Sequence, residues 1–536
     1  MATNVPPTLL HHLVLHQAEN NPSACAVRYA NETLTYDVLA DAINAAANHY
    51  LALGLQRSER VAVYLEKRLE TVVALFAAAA AGGVFIPINP LLKAEQVGYI
   101  LADCNVRLLV TSPARLELLA PVLNQCPDMR IILLVGAAHV DYLELPKNVI
   151  IRAWNDKDGV QSCPAWRVID QDMVAIFYTS GSTGRPKGVV LAHRNFVAGA
   201  ISVAEYLRNH SADRILSVLP LSFDYGFNQL TTAFLVGASV VLMNYLLPRD
   251  VIRAAAREQI TGLAAVPPLW IQLAQLKWPI EITEHLRYFT NSGGAMPIST
   301  LAQLRTQLPK TQPYLMYGLT EAFRSTYLPP EYIEQRPDSI GKAIPNAEIQ
   351  VVHPNGHLCA PNEPGELVHR GVHVAMGYWN DPEKTAERFR PAPGQITGLP
   401  LTEIAVWSGD AVKMDDEGFL YFIGRRDEMI KTSGYRVSPT EIEEVIYATG
   451  LITEVVALGV AHPVLGQAIV AIVYALNADP TINTTLLTEC QQRLPAFMVP
   501  HRLIIYSNPL PRNPNGKVDR QLLTQTIATL FSEPTV

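Results

Sequence analysis

The chain has 536 residues, 49% of them hydrophobic, with a formal net charge of −7. That length supports several cores, at roughly 150 residues per unit, while the acidic balance excludes the basic field on which nucleic-acid binding depends. Six cysteines, at 25, 104, 126, 163, 359 and 490, lie far apart without a Cys-x-x-Cys pair. That pattern fits neither a disulfide framework nor a zinc site, so buried, reduced thiols are expected.

The N-terminal stretch MATNVPPTLLHHLVLHQAENNP lacks a charged segment leading into an apolar core, so no secretory leader is expected and a cytoplasmic protein is the expectation. The longest apolar run, 72–88, is alanine-rich and broken by Gly82, Gly83 and Pro87. It reads as a buried helix followed by a strand rather than a membrane span. "ERVAVYL" predicts a strand, 70–81 a helix, and "VFIPI" and "VRLLVTS" further strands, the alternation of an α/β unit with a mostly parallel sheet.

The next informative stretch is "YTSGSTGRPKGVV", 178–190. Gly181, Gly184 and Gly188 permit backbone conformations and close approaches that a Cβ forbids. Thr179, Ser180, Ser182 and Thr183 add hydroxyls to the exposed N–H groups, which suits an anion. The nucleotide loop G-x-x-x-x-G-K-[ST] fails on spacing, because Lys187 follows Pro186 and precedes Gly188. A flexible linker is disfavoured: 174–178 reads as a buried strand, and Val189, Val190 and Leu191 resume apolar character.

"LPLSFDYGF", 219–227, sets Asp224 in an apolar wall, where a carboxylate is costly without a partner. "NSGGAMP", 291–297, reads almost equally well as a plain loop, and "YGLTE", 317–321, as a tight turn with a surface acid. From 339 to 422, turns such as "HPNG", "NEPGE" and "DDEG" separate short strands, predicting a β-rich unit. Ser438, Pro439 and Glu441 supply an N-cap, a first-turn proline and a capping-box acid. Ile442, Val445 and Ile446 then form an apolar helical stripe. "EVVALGV" and "AIVAIVYAL" read as strands of a final domain of about 110 residues. Lys517 follows a Pro-Asn-Gly turn that projects its ammonium outward; taken alone it is one solvated lysine among many.

"YTSGSTGRPKG", "YGLTE", "SGD" (408–410), "GRRDEMIKTSGYRVSPTEIE" and "NPNGKVDR" (513–520) follow one another in the order seen in the adenylate-forming superfamily. That superfamily includes acyl-CoA synthetases, adenylation domains of nonribosomal peptide synthesis and firefly luciferase. The chain resembles it from "LTYDVLADAI" at Leu34 to Lys517. Each motif is weak alone; five in order with the right spacing are a strong signal.

The resemblance implies an α/β fold with a large N-terminal AMP-binding body over 1–426. Its α/β subdomains would run to about 338 and a β-rich subdomain over about 339–426, followed by a small, mobile α+β lid over 427–536. It implies attack of a carboxylate on the α-phosphate of ATP, release of pyrophosphate, and transfer of the acyl group from AMP to a thiol, with catalysis supplied by donors aimed at phosphate oxygens. Thr179, Ser180, Gly181, Ser182, Thr183, Gly184 and Lys187 then resemble the holder of the leaving phosphates. Gly293, Gly294 and Ala295 resemble the adenine-pocket segment, Tyr317 with Gly318 the adenine stack, and Thr320 the phosphate-binding hydroxyl. Glu321 resembles the Mg²⁺ ligand, a role that suits a hard ion's preference for oxygen. Asp410 matches the ribose acid, Arg425 its neighbouring ribose and phosphate contact, and Lys517 the lysine that neutralises charge between carboxylate and α-phosphate. Asp427 aligns with the hinge, and Gly434 with the loop that faces the pantetheine arm.

Many acyl-CoA and aryl ligases place a histidine near 219–227, whereas amino-acid-activating relatives carry Phe-Asp, the acid pairing with the α-ammonium. Phe223 and Asp224 match the second pattern. An amino acid is therefore favoured over a fatty or other organic acid, with small apolar or cyclic ones such as proline among the candidates. The competing reading has Asp224 bonded to backbone or an internal arginine and a pocket that takes a plain acyl chain. No serine-bearing carrier domain follows Lys517, so the acceptor is expected in trans, as the phosphopantetheine of a carrier protein or as CoA. A luciferase-like oxidative enzyme shares the same motifs. An inactive binding protein is disfavoured because Lys187, Glu321, Asp410 and Lys517 are all present.

Overall fold

The strands Arg60–Tyr64 and Val84–Pro87 consist almost wholly of buried apolar residues and pair in parallel, as strands covered on both faces do. In this computed structural model the described residues are 6–136, 143–156, 165–179, 186–394, 398–425, 428–432, 435–462, 465–476, 481–494, 496–514 and 516–531. Among them, these two strands lie in an eight-stranded sheet, parallel from Met173–Thr179 through Val84–Pro87, Arg60–Tyr64, Val106–Thr111 and Ile131–Leu134 to Ile150–Ala153. Its other edge is antiparallel, formed by Lys187–Ala192 and Gly377–Tyr378.

A second, fourteen-stranded sheet has a parallel centre running from Cys25–Tyr29 through Ser239–Leu242, Arg214–Ser217, Gly262–Ala265 and Tyr288–Asn291 to Gln312–Tyr317. The ladder then turns antiparallel at Thr326–Leu328 and continues through Ser339–Ala343 into the turn-rich strands up to Leu420–Arg425. The β-rich unit is thus hydrogen-bonded onto the α/β body as an extension of one sheet. Helix Leu69–Ala80 touches strands of both sheets, and its row of alanines is what lets a helix lie so close to two backbones.

The C-terminal region pairs Glu454–His462 with Gly466–Tyr474 and adds Arg502–Tyr506 in parallel, with apolar clusters on both faces. The overall class is mixed α/β, a large body with a small C-terminal domain. The helix expected after Ser438 is present as Pro439–Tyr447, but its capping box is not. The Ser438 hydroxyl donates instead to the carbonyl of Ile423, a strand carbonyl that lies within its reach and claims the donor. Among the described residues, no helix is long and apolar enough to cross a membrane.

Candidate functional site

Thr179 and Lys187 end the strands Met173–Thr179 and Lys187–Ala192 as a facing pair of an antiparallel hairpin. Ser180, Gly181, Ser182, Thr183 and Gly184 lie outside the described residues, as do Asp427 and Gly434. At the base of the hairpin, a Cβ on Gly188 would come within 2.7 Å of Ile176 Cγ2, which accounts for that glycine. Lys187 Nζ stands 5.4 Å from the centre of the Tyr378 ring, and the Tyr378 hydroxyl donates to Glu321 Oε1 at 2.6 Å. A cation, a phenol and a carboxylate are thereby lined up beside the hairpin.

In the second sheet, the strand Gln312–Tyr317 ends on Tyr317. Its hydroxyl donates to Asp410, which the ladder sets opposite Arg425, with Arg425 Nε 3.5 Å from Asp410 Oδ1. Burial pushes the Asp410 carboxyl up to about 6 against the opposing pull of Arg425 and the Tyr317 hydrogen bond. Burial and the Asp410 charge hold the Tyr317 phenol well above its ordinary value. Gly318 follows at the turn, where a Cβ would approach Arg324 Cα to 3.2 Å. Gly293, Gly294 and Ala295 form the loop after Tyr288–Asn291, pinned by Asn291 Nδ2 donating to Gly294 O at 3.0 Å.

Lys517 enters this cleft from the C-terminal domain. The turn that carries it is closed by Asn513 N donating to Lys517 O at 2.8 Å and Lys517 N donating to Asn513 Oδ1 at 3.1 Å. It is docked on the body by Asn89 Nδ2, which donates to Pro514 O at 2.6 Å. Nζ lies 5.8 Å from the centre of the Phe223 ring. Gly293 has a φ of 80°, and a Cβ there would be 3.2 Å from Lys517 Cε, so both backbone and space call for glycine. Burial lowers the Lys517 ammonium from its ordinary value, and the neighbouring Asp224 charge offsets part of that.

Asp224, first residue of helix Asp224–Val236, lies beneath the cleft and is 4% exposed. Arg324 Nη1 donates to its Oδ2 at 2.8 Å, and Thr320 Oγ1 to its Oδ1 at 3.2 Å. Its cationic partner is therefore an arginine of this chain, the second of the two environments considered for it. The inference of a substrate ammonium from an unpartnered acid loses its premise. Arg324, Tyr378 and Asn89 were not among the sequence-derived site residues. Arg324 does sit three residues after Glu321 in "TEAFR", while the contacts of the other two arise only from the tertiary fold.

A single carboxylate, Glu321, held by one phenol, suits Mg²⁺, which takes one or two protein carboxylates and completes its octahedron with phosphate and water. Among the described residues there is no group of three or more His, Cys, Asp or Glu placed to hold a metal by themselves.

The family model for AMP-binding enzyme matches residues 14–379, and that for the AMP-binding enzyme C-terminal domain matches 441–517. The chain is 28% identical to an L-proline--[L-prolyl-carrier protein] ligase of Pseudomonas fluorescens, covering 97% of this chain and 99% of that one. It is 27% identical to a long-chain-fatty-acid--CoA ligase of Bacillus subtilis, covering 97% and 95%. Against a much longer relative, 30% identical over 96% of the chain, the match spans 10% of that protein's length. The solved structure of ATP-bound MatB from Rhodopseudomonas palustris superposes with a TM-score of 0.85 at 24% identity, covering 98% of this chain and 99% of that one. With both family models matched in chain order and the cleft residues gathered where body and C-terminal domain meet, this chain belongs to the AMP-binding enzyme family.

Proposed function

We propose that the chain is an ATP-dependent, AMP-forming acid–thiol ligase. A carboxylate oxygen of the acid attacks the α-phosphorus of ATP, and the bond to the β-bridging oxygen breaks. Pyrophosphate leaves, and a thiol then displaces AMP from the acyl carbonyl. Lys187, with Thr179 and the hydroxyls of 180–183, holds the departing phosphates; Tyr317 and the 293–295 loop hold adenine; Asp410 and Arg425 hold the ribose. Thr320 bonds phosphate in exchange for its present bond to Asp224. Glu321 would ligate Mg²⁺, which supplies charge neutralisation on the phosphates when bound. Lys517 meets the charge that develops between carboxylate and α-phosphate, and such preorganised donors are the main source of catalysis in phosphoryl-type transfer.

The observation that carries this reading is Lys517, a C-terminal-domain amine set between Phe223 and Gly293 of the body. For the substrate, the Asp224–Arg324 pair favours an organic acid without an α-ammonium, with CoA or a carrier thiol as acceptor. An amino acid handed to a carrier protein in trans is the second reading, supported by the Phe223–Asp224 pattern and the likeness to the prolyl-carrier ligase. Exchange of labelled pyrophosphate into ATP across a panel of organic and amino acids tests both. Acid-dependent exchange is expected, and Lys517→Ala is expected to slow it by about 100-fold or more; exchange at full speed in that variant overturns the assignment. Thiolation with CoA and with carrier proteins then identifies the acceptor.

A further inference from the structure

Arg324 is 2% exposed, yet only one of its nitrogens is engaged. Nη1 donates to Asp224 Oδ2 at 2.8 Å and to Phe323 O at 2.7 Å. Nε and Nη2 are buried and have no hydrogen-bond partner among the described residues. These two nitrogens carry hydrogens on the same edge of the guanidinium, the edge that receives the two oxygens of a carboxylate in parallel. An unmet buried donor is costly, and native proteins leave few of them.

The group is held in place rather than loosely packed. Its central carbon lies 5.0 Å from the Tyr225 ring centre and 5.3 Å from that of Phe323, aromatic faces that attract a guanidinium. Phe323, with a φ of 55°, adopts a backbone conformation costly for a bulky residue. Asp224 beneath the cleft already balances one unit of positive charge, but through the opposite edge of the guanidinium. The fork is unmet, and Asp224, to which the other side of the group is bonded, also acts on the Lys517 ammonium.

Resting on the ligase reading above, we infer that Arg324 is a specificity residue and that the acid activated here carries a second carboxylate, received by the Nε and Nη2 edge. A plain alkyl acid leaves that edge unmet. A neutral amino acid leaves it unmet as well and competes with Arg324 for Asp224. A two-carboxylate acid without an α-ammonium satisfies it and leaves the Asp224–Arg324 pair intact.

The test is pyrophosphate exchange by the whole 536-residue chain with length-matched pairs, succinate against butyrate and glutarate against pentanoate, and with alanine and proline as neutral amino acids. The expected result is a kcat/KM for the best two-carboxylate acid about 10- to 100-fold above that of its one-carboxylate match, the scale of a hydrogen-bonded charge pair. Arg324→Gln is expected to erase that ratio, mainly through the KM of the diacid. Since Arg324→Gln strands Asp224, the double variant Asp224→Asn with Arg324→Gln, checked for folding by its melting curve, removes both charges and is expected to erase the ratio too. Equal use of matched pairs, a preference for alanine or proline, or an unchanged ratio in the double variant overturns the inference while leaving the ligase reading standing. Exchange with no acid at all overturns both.

Discussion

Asp410 is the residue at which proton binding is coupled to folding. Its carboxyl stands at about 6 in the folded chain against an ordinary 3.8, so between those values the folded state keeps a proton that the unfolded state has released. Stability therefore falls as pH rises through that window, and the loss is complete above about 6. Asp410→Asn removes the slope: melting curves from pH 4 to 7 should show the variant gaining on the wild type as pH rises. If the ionised form accepts from the ribose hydroxyls, the wild-type KM for ATP should also climb as pH drops below about 6. Tyr378 acts through Glu321. Its hydroxyl fixes the carboxylate at 2.6 Å, and Tyr378→Phe frees that side chain to turn. An increase of about 10-fold in the Mg²⁺ needed for half-maximal exchange is expected, with the response to the acid little changed.

At the scale of elements, the turn bearing Lys517 is only as useful as its docking. Asn89 is 5% exposed; it caps its own turn by accepting from Leu91 N at 2.9 Å and reaches across the cleft to Pro514 O. Asn89→Leu should slow pyrophosphate exchange by about 5- to 50-fold, the effect of stranding a buried partner, and spare thiol transfer from supplied acyl-adenylate. Equal losses in both half-reactions would show a general folding defect instead. Neighbouring elements were legible in the sequence because their signals are local. The helix expected over 70–81 is Leu69–Ala80, and "VFIPI" yields Val84–Pro87. The hairpin around the glycine-rich stretch announces itself by apolar runs on either side. Ser438 was placed correctly at a helix start, but its hydroxyl partner, Ile423 O, comes from another strand and no local rule reaches it. Arg324 was hidden for a related reason: an arginine in a sequence reads as solvated, and only packing shows that it lies under the cleft.

At the scale of the whole molecule, Lys67, 7% exposed, ties the eight-stranded sheet to the fourteen-stranded one. Following a strand of the eight-stranded sheet, it donates from Nζ to Val218 O at 2.6 Å and Leu219 O at 3.1 Å, just past a strand of the other sheet. Its backbone exchanges bonds with the side-chain amide of Asn244 at 3.3 and 2.7 Å. Burial brings the amine down from 10.5 to about 7. Above about 7 the folded state has given up a proton that the unfolded state keeps, so this group adds stability as pH rises toward 10.5. Lys67→Met leaves two carbonyls unmet and removes that gain. Its melting temperature should fall below the wild type, with the gap widening from pH 7 to 9.

The shared ladder through Thr326–Leu328 and Ser339–Ala343 makes Tyr317 and Asp410 products of one continuous weave. Cutting the chain near 338 would not release a tidy module but tear a seam, baring a raw strand edge that invites self-association. Change at this face is accordingly easier in side chains and loop lengths than in the strands that carry them.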